Sequence, residues 1–164
     1  MGAHHTPRGL WLQWPWGDLA LPILGITAWA LLGAPLPAAE TRPTFFTATS
    51  AAAGIGLAAA AFVCTIFYQS SNALLSDIRN TYGPLIRRNW VWILSCLLAA
   101  VVMPVVSIVI DPAAPAIATA MTTAAGLMFV TSFCRVIYWF HMTLGILDSP
   151  QNAPVGLHTK NLPD

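Results

Sequence analysis

The chain contains an uncharged run that is long enough to cross a lipid bilayer. It covers residues 45–68 and reads FFTATSAAAGIGLAAAAFVCTIFY. A helix rises about 1.5 Å per residue, so about 20 residues match a hydrocarbon core of about 30 Å. Backbone groups inside lipid must be bonded within their own segment, and at this length only a helix achieves that. We therefore predict a transmembrane helix over this run.

The composition agrees with a chain that lies largely in lipid. Hydrophobic residues make up 57% of the sequence and charged residues 8%, whereas a typical soluble domain has about 25% charged residues. The net charge is +1, and no basic stripe is present to neutralise phosphates. The lipid bilayer is therefore the expected surrounding partner, and nucleic acid is excluded.

Three other segments have the same length and character. Each is apolar over about 18 to 25 residues, the length that a bilayer requires. The expected membrane helices cover residues 19–36, 45–68, 90–110 and 116–140. We therefore expect an all-α membrane protein, a four-transmembrane-helix bundle that forms one membrane domain over residues 19–147.

The two ends of the chain have a different character. Residues 1–18 are rich in tryptophan, which is enriched at the headgroup level, so we expect an interfacial arm. Residues 148–164 contain prolines and no periodicity, which predicts a flexible tail. A cleaved signal peptide is an alternative interpretation of the first segment. Leu36 and Pro37, however, match the small-residue pattern of a cleavage site poorly for a cut near Ala38.

A polar, amphipathic stretch follows the second apolar run, at residues 69–82. Leu74, Ile78 and Tyr82 recur every four residues, which places them on one helix face. We expect helix two to extend into the cytoplasm through this stretch and to stop at Gly83 and Pro84. The face either lies on its own bundle or docks a partner or a second copy. The candidates for cytoplasmic docking or lipid contact are Leu74, Ile78, Tyr82, Arg79, Arg87, Arg88 and Arg135.

Basic residues are distributed unevenly between the two sides of the expected bundle. The connection between helices two and three holds Arg79, Arg87 and Arg88, whereas the connections on the opposite side hold only Arg42. An excess of Lys and Arg marks the cytoplasmic face. We therefore expect a multi-pass protein, integral to the cell (inner) membrane, with both termini in the cytoplasm.

Helix two carries two interleaved series of small residues at a spacing of four. In lipid, such faces let helix backbones approach closely. The spacing predicts close packing either inside one bundle or between subunits, and so makes a homo-oligomer or a membrane-protein partner an expected associate. The candidate helix-packing and oligomerisation residues are Ser50, Gly54, Gly56, Ala58 and Ala60.

Helix four carries a face of hydroxyl groups and one glycine. Thr119, Thr122, Thr123 and Gly126 recur at spacings of three and four, so they share one side of the helix. Threonine hydroxyls in lipid bond back to the preceding turn or across to a neighbouring helix. This face is a candidate for helix packing or for the lining of a pore.

Arg135 is a charged residue inside the fourth apolar segment. It lies a few residues from the inner end, beside Tyr138 and Trp139. A long arginine stem lets the guanidinium group reach the headgroups while its methylenes stay in lipid. We therefore expect Arg135 to extend toward the membrane surface.

Motifs that carry chemistry are missing from the sequence. It has no phosphate-binding loop, no paired carboxylates, and no HExxH, GxSxG or Rossmann pattern. Cys64, Cys96 and Cys134 fall in apolar segments without a CxxC or a histidine partner. We expect neither a metal nor a cofactor, and we expect the protein not to be an enzyme.

The pattern over residues 44–110 resembles that of uncharacterised small four-helix integral membrane proteins of bacteria and phages. It combines a phenylalanine-led second helix rich in Ala, Gly and Thr, a polar extension with arginines, and an aromatic start to helix three. The resemblance implies a bacterial or phage origin. It carries over no catalytic or binding residue.

Two functional hypotheses follow from these features. The first is a non-enzymatic membrane protein that self-associates or docks a partner, in an accessory, exclusion or defence role. The second is a small oligomeric channel or transporter subunit lined by the threonine face of helix four. The apparent lack of a deep charged residue to select an ion speaks against the second hypothesis.

Overall fold

The computed structural model describes residues 15–147, and all the elements in this part of the chain are helices. A 3₁₀ turn at Pro15–Leu19 leads into helix α1 at Ala20–Leu31. The other helices are α2 at Arg42–Gln69, α3 at Ala73–Ile110 and α4 at Pro115–Leu147. The predicted tail, and most of the predicted N-terminal arm, lie outside the described residues.

Three of these helices, α2, α3 and α4, are long and apolar enough to cross a membrane. This agrees with the prediction of an all-helical membrane bundle. The first apolar segment differs, because α1 has 12 residues and so a length of about 18 Å. Gly33 has a φ of +86°, a left-handed conformation that ends the helix, and the Ala34 N–H bonds back to the Trp29 carbonyl at 3.0 Å.

The prediction of one continuous helix through residues 69–82 is wrong. Helix α2 ends at Gln69, because Ser70 adopts an extended conformation with φ −61° and ψ 128°. Asn72 then accepts hydrogen bonds from the next turn, through its side chain from Leu75 and through its carbonyl from Ser76. Such a cap starts a new helix, so the amphipathic stretch belongs to the beginning of α3.

Gly83 and Pro84 do not end a helix, as the sequence had suggested, but lie inside α3. A proline within a helix removes one ladder hydrogen bond. Here the carbonyl that loses its donor belongs to Asn80, an exposed residue, which limits the cost. Pro104 lies inside the same helix, as predicted.

The core of the bundle lies where α2, α3 and α4 meet. At one end it is aromatic, and Trp139 of α4 packs against Phe67 and Trp90 at ring-centroid distances of 6.3 and 6.4 Å. At the other end it is built from small residues, among them the buried Ala53 and Ala100. Tryptophan rings keep the helices further apart at the first end, and alanines let them approach closely at the second. This difference in spacing sets the shape of the bundle.

Polar contacts hold the small-residue end together. The hydroxyl of Ser50 in α2 donates a hydrogen bond of 3.0 Å to the carbonyl of Val101 in α3. At the helix ends on this side, the guanidinium of Arg42 forms an ion pair of 3.2 Å with the carboxylate of Asp111. The start of α2 is thereby tied to the end of α3.

Candidate functional sites

A buried ion pair joins the 3₁₀ turn to helix α4. The Nη1 atom of Arg135 lies 3.1 Å from the Oδ2 atom of Asp18, and each residue is 1% exposed. The expectation that Arg135 extends to the headgroups is therefore wrong. Asp18 was not expected as the partner of Arg135, because it lies at the end of the stretch that was predicted to be an interfacial arm.

Polar groups from α3 and α4 complete the surroundings of this ion pair. The indole of Trp92 lies near the Asp18 carboxylate, and the Thr131 hydroxyl donates a 3.1 Å hydrogen bond to the Asp18 carbonyl. The thiol of Cys96 lies close by and interacts with Ser132. The arrangement neutralises two charges in the buried part of the bundle.

Arg79 caps the end of α2. Its guanidinium donates hydrogen bonds to the carbonyls of Phe67, Tyr68 and Ser70, at 2.9, 2.7 and 2.9 Å. The last carbonyls of a helix lack partners within it, and a cation there also interacts favourably with the helix dipole. Arg79, a predicted docking residue, therefore binds its own chain.

The amphipathic face at the start of α3 is largely covered by the bundle itself. Leu75 is fully buried in the aromatic cluster, and Ile78 packs against it. Tyr82 is 56% exposed, and the side chain of Leu74 lies outside the described ones. Of the two interpretations of this face, packing on the bundle holds for Ile78.

The predicted packing residues of α2 are divided between the inside and the outside of the bundle. Gly56 and Ala60 are buried, and a Cβ atom at Gly56 would lie 2.5 Å from the ring of Phe129. Ala58 is exposed, and a Cβ atom at Gly54 would meet nothing within 4 Å. Ser50, at the same spacing of four, is half-buried and bonded to α3. Gly54 and Ala58 therefore face outward, while the other three pack inside the bundle.

The threonine face of α4 is also divided. Thr119 and Thr122 are 3% and 0% exposed, and their hydroxyls have no hydrogen-bond partner among the described residues. Thr123 bonds back to the carbonyl of Thr119 at 2.8 Å. With Gly126, it lines an apolar groove of about 480 Å³ between α2 and α4.

Metal-binding residues do not converge anywhere within residues 15–147. This region contains no group of three or more His, Cys, Asp or Glu side chains that could hold an ion. The three cysteines are free, and they differ in environment: Cys96 is buried, Cys64 half-buried and Cys134 exposed.

Comparison with known proteins gives no relative for this chain. No protein family matches it, and neither a curated protein nor a solved structure is detectably similar to it. The resemblance of residues 44–110 to small bacterial and phage membrane proteins thus rests on pattern alone, and function has to be argued from the geometry above.

Proposed function

We propose that the chain is a non-enzymatic, multi-pass integral membrane protein that acts through helix contacts, with a second copy of itself as partner. Its three long apolar helices, and the pairing of the buried charges Asp18 and Arg135, support the membrane placement. The positive-inside rule supports an orientation in the cell (inner) membrane that places Arg87, Arg88 and the C-terminal end of α4 in the cytoplasm. An accessory, exclusion or defence role in a bacterium or phage would use such contacts.

The outward face of α2 is the observation that supports self-association. Ala51, Gly54 and Ala58 are at least partly exposed and lie at helical spacings of three and four. Alanine and glycine gain little from contact with lipid, whereas they allow two backbones to approach closely. A two-fold axis across this face would pair α2 with α2 of the second copy, since such an interface is self-complementary.

Cysteine crosslinking in native membranes tests this interface. In a background without Cys64, Cys96 and Cys134, we expect Ala51→Cys to form a disulfide-linked dimer on mild oxidation. Adding Gly54→Leu should abolish the dimer, because a leucine there separates the backbones.

Two control variants are matched to this test. Gly145→Leu adds the same side chain at another open position and should leave the crosslink intact. Val102→Cys lies on α3 at a similar depth and is 48% exposed. Crosslinking of Val102→Cys as efficient as that of Ala51→Cys would indicate random collision and contradict the proposal.

A second candidate, a small oligomeric channel or transporter subunit, is supported by a different observation. Helix α4 buries the hydroxyls of Thr119 and Thr122 near one end and the charge of Arg135 near the other. Buried polar groups in membrane helices often mark pathways for ions or protons. The Asp18–Arg135 pair also supplies the deep charges that the sequence argument had considered missing.

Flux into proteoliposomes separates this candidate from the first. If the protein conducts, potassium or proton flux should exceed that of empty liposomes. Thr122→Val, which removes the hydroxyl at nearly constant volume, and Asp18→Asn should each change that flux. Wild-type liposomes that leak no faster than empty ones would reject the channel and leave the contact function standing.

A further inference from the structure

A small pocket lies between the end of α2 and the first part of α3. Its volume is about 270 Å³, and it is lined by Tyr68, Gly83, Pro84 and Arg87. Tyr68 is 43% exposed, and Arg87 is exposed as well. A phenol and a guanidinium group therefore meet at one opening, and both can donate hydrogen bonds to an anion.

Gly83 lines the pocket without adding a side chain to it. Arg79, Gly83 and Arg87 follow one another at a spacing of four and so share a face of α3. A Cβ atom at Gly83 would meet nothing within 4 Å, which means that the space beside it is open. Arg79 is held by the carbonyls of α2, whereas Arg87 forms no ion pair within residues 15–147.

Helix lengths place the pocket at the headgroup level of the membrane. The Arg42–Asp111 ion pair marks the opposite end of the bundle. From there, α2 reaches Tyr68 and α3 reaches Gly83 over about 40 Å each, at about 1.5 Å per residue. A bilayer with its headgroups is about 40–45 Å thick. The pocket and the ion pair thus lie at the two surfaces.

An apolar track runs along α3 from the pocket toward the membrane centre. Val91 is one turn beyond Arg87 and is 59% exposed, and Leu98, two turns further, is 53% exposed. A ligand with a charged head at Arg87 and a hydrocarbon chain along Val91 and Leu98 would contact both the pocket and the apolar track. A free phosphate would contact the pocket alone.

We propose that this pocket binds the phosphate of an anionic phospholipid, with Arg87 and Tyr68 as donors and the acyl chains along α3. The assignment rests on the membrane placement proposed above. Charge-assisted hydrogen bonds from arginine to a phosphate oxygen are among the strong polar contacts. Among the described residues, the lining contains no acidic side chain that would repel a phosphate.

Native mass spectrometry of the detergent-purified full-length protein tests the site. We expect dioleoyl phosphatidylglycerol to bind about tenfold more tightly than dioleoyl phosphatidylcholine, because the choline cation of the latter offsets the attraction between the phosphate and Arg87. Gly83→Leu, which fills the pocket, and Arg87→Gln should each remove this preference. If Gly83→Leu fails to fold, as judged by helical circular dichroism, Arg87→Gln alone decides the outcome.

Matched controls distinguish binding at this pocket from a general attraction of anionic lipid to the positive charges of α3. Gly145→Leu adds the same side chain at another open glycine, and Arg88→Gln removes the same charge from the neighbouring residue. Both should keep the preference for phosphatidylglycerol. Equal losses in Arg88→Gln and Arg87→Gln would overturn the proposal.

Two further measurements separate the possible failures. Displacement of phosphatidylglycerol by glycerol 3-phosphate at equal concentration would assign the site to a soluble phosphate and overturn the lipid assignment. Carbonate extraction of membranes reports on the membrane placement independently. A protein that is released by carbonate contradicts the proposed function, whereas one that is retained but shows no lipid preference contradicts the pocket alone.

Discussion

The carboxylate of Asp18 and the guanidinium of Arg135, 3.1 Å apart, connect the first described turn of the chain to its last described helix, α4. Both side chains are withdrawn from the surface almost completely. Removing a charge from water is costly, and only the partner's charge offsets that cost. The pair therefore stabilises the bundle only while both members are present, and it makes the position of α1 depend on α4.

Breaking this ion pair should destabilise the protein strongly. We expect Asp18→Leu and Arg135→Met each to lower the free energy of unfolding by about 3–5 kcal/mol, because each leaves a buried charge without its partner. The double variant should lose less than the sum of the two. Thermal unfolding in detergent, arranged as a double-mutant cycle, measures the coupling. Additive losses would mean that the two groups act independently.

Loss of Arg79 should loosen the junction between α2 and α3. Arg79→Gln removes a cation that binds three carbonyls at the end of α2, at an expected cost of about 1–3 kcal/mol. Hydrogen exchange followed by mass spectrometry should show faster exchange in residues 64–80. Arg87→Gln, which removes an exposed charge from the same helix face, is the control. Unchanged exchange in Arg79→Gln would show that the cap contributes nothing to local stability.

The two central glycines of α2 should respond oppositely to alanine. Gly56→Ala places a methyl group 2.5 Å from the ring of Phe129, which is itself stacked on Phe133 at 5.4 Å. The ring cannot move away freely, so we expect a loss of about 1–3 kcal/mol. Gly54→Ala meets open space and should be neutral or slightly stabilising. Unfolding temperatures in detergent compare the two, and equal losses would contradict the packing described for Gly56.

Labelling of introduced cysteines should report the orientation in the membrane. In the cysteine-free background, Ala39→Cys and Ala113→Cys lie in exposed positions at one end of the bundle, and Thr81→Cys lies at the other. None of these three side chains takes part in a described ion pair. On intact cells, a membrane-impermeant maleimide should modify the first two and spare the third. The reverse pattern would invert the proposed topology.

The long helices could be predicted from the sequence because their signal is local. For α2 the expected residues 45–68 compare with Arg42–Gln69, and for α4 the expected residues 116–140 compare with Pro115–Leu147. Long apolar runs without charge specify such helices on their own. The end of α3 at Ile110 was also predicted, since the turn at Asp111 and Pro112 stops it.

The break between α2 and α3 could not be predicted in this way. It depends on side chains that compete with the helix for backbone hydrogen bonds, and a pattern of apolar residues does not show such competition. Ser70 and Asn72 offer side-chain hydrogen bonds to the backbone, which favour a break and a new cap over a continued helix. The helical periodicity of Leu74, Ile78 and Tyr82 holds equally well for the start of α3. Because of this ambiguity, residues 69–82 were assigned to the end of helix two instead of the start of α3.

The ion pair and the division of the small residues are tertiary features. Asp18 and Arg135 both fall on the side predicted to be cytoplasmic, and this shared depth was a signal that could have suggested their pairing. Which glycine of α2 faces inward depends on where the ring of Phe129 lies, and no periodicity within α2 contains that information.

The connection between the 3₁₀ turn and α4 also has a consequence for biogenesis. Asp18 and Thr131, which bond directly, are 113 residues apart in the chain. At about 5–20 residues per second, the ribosome needs on the order of ten seconds to make that stretch. During this time, Asp18 has neither Thr131 nor Arg135 to bind. Helix α4 thus completes the surroundings of the 3₁₀ turn, and a chain that stalls before α4 would lack these contacts.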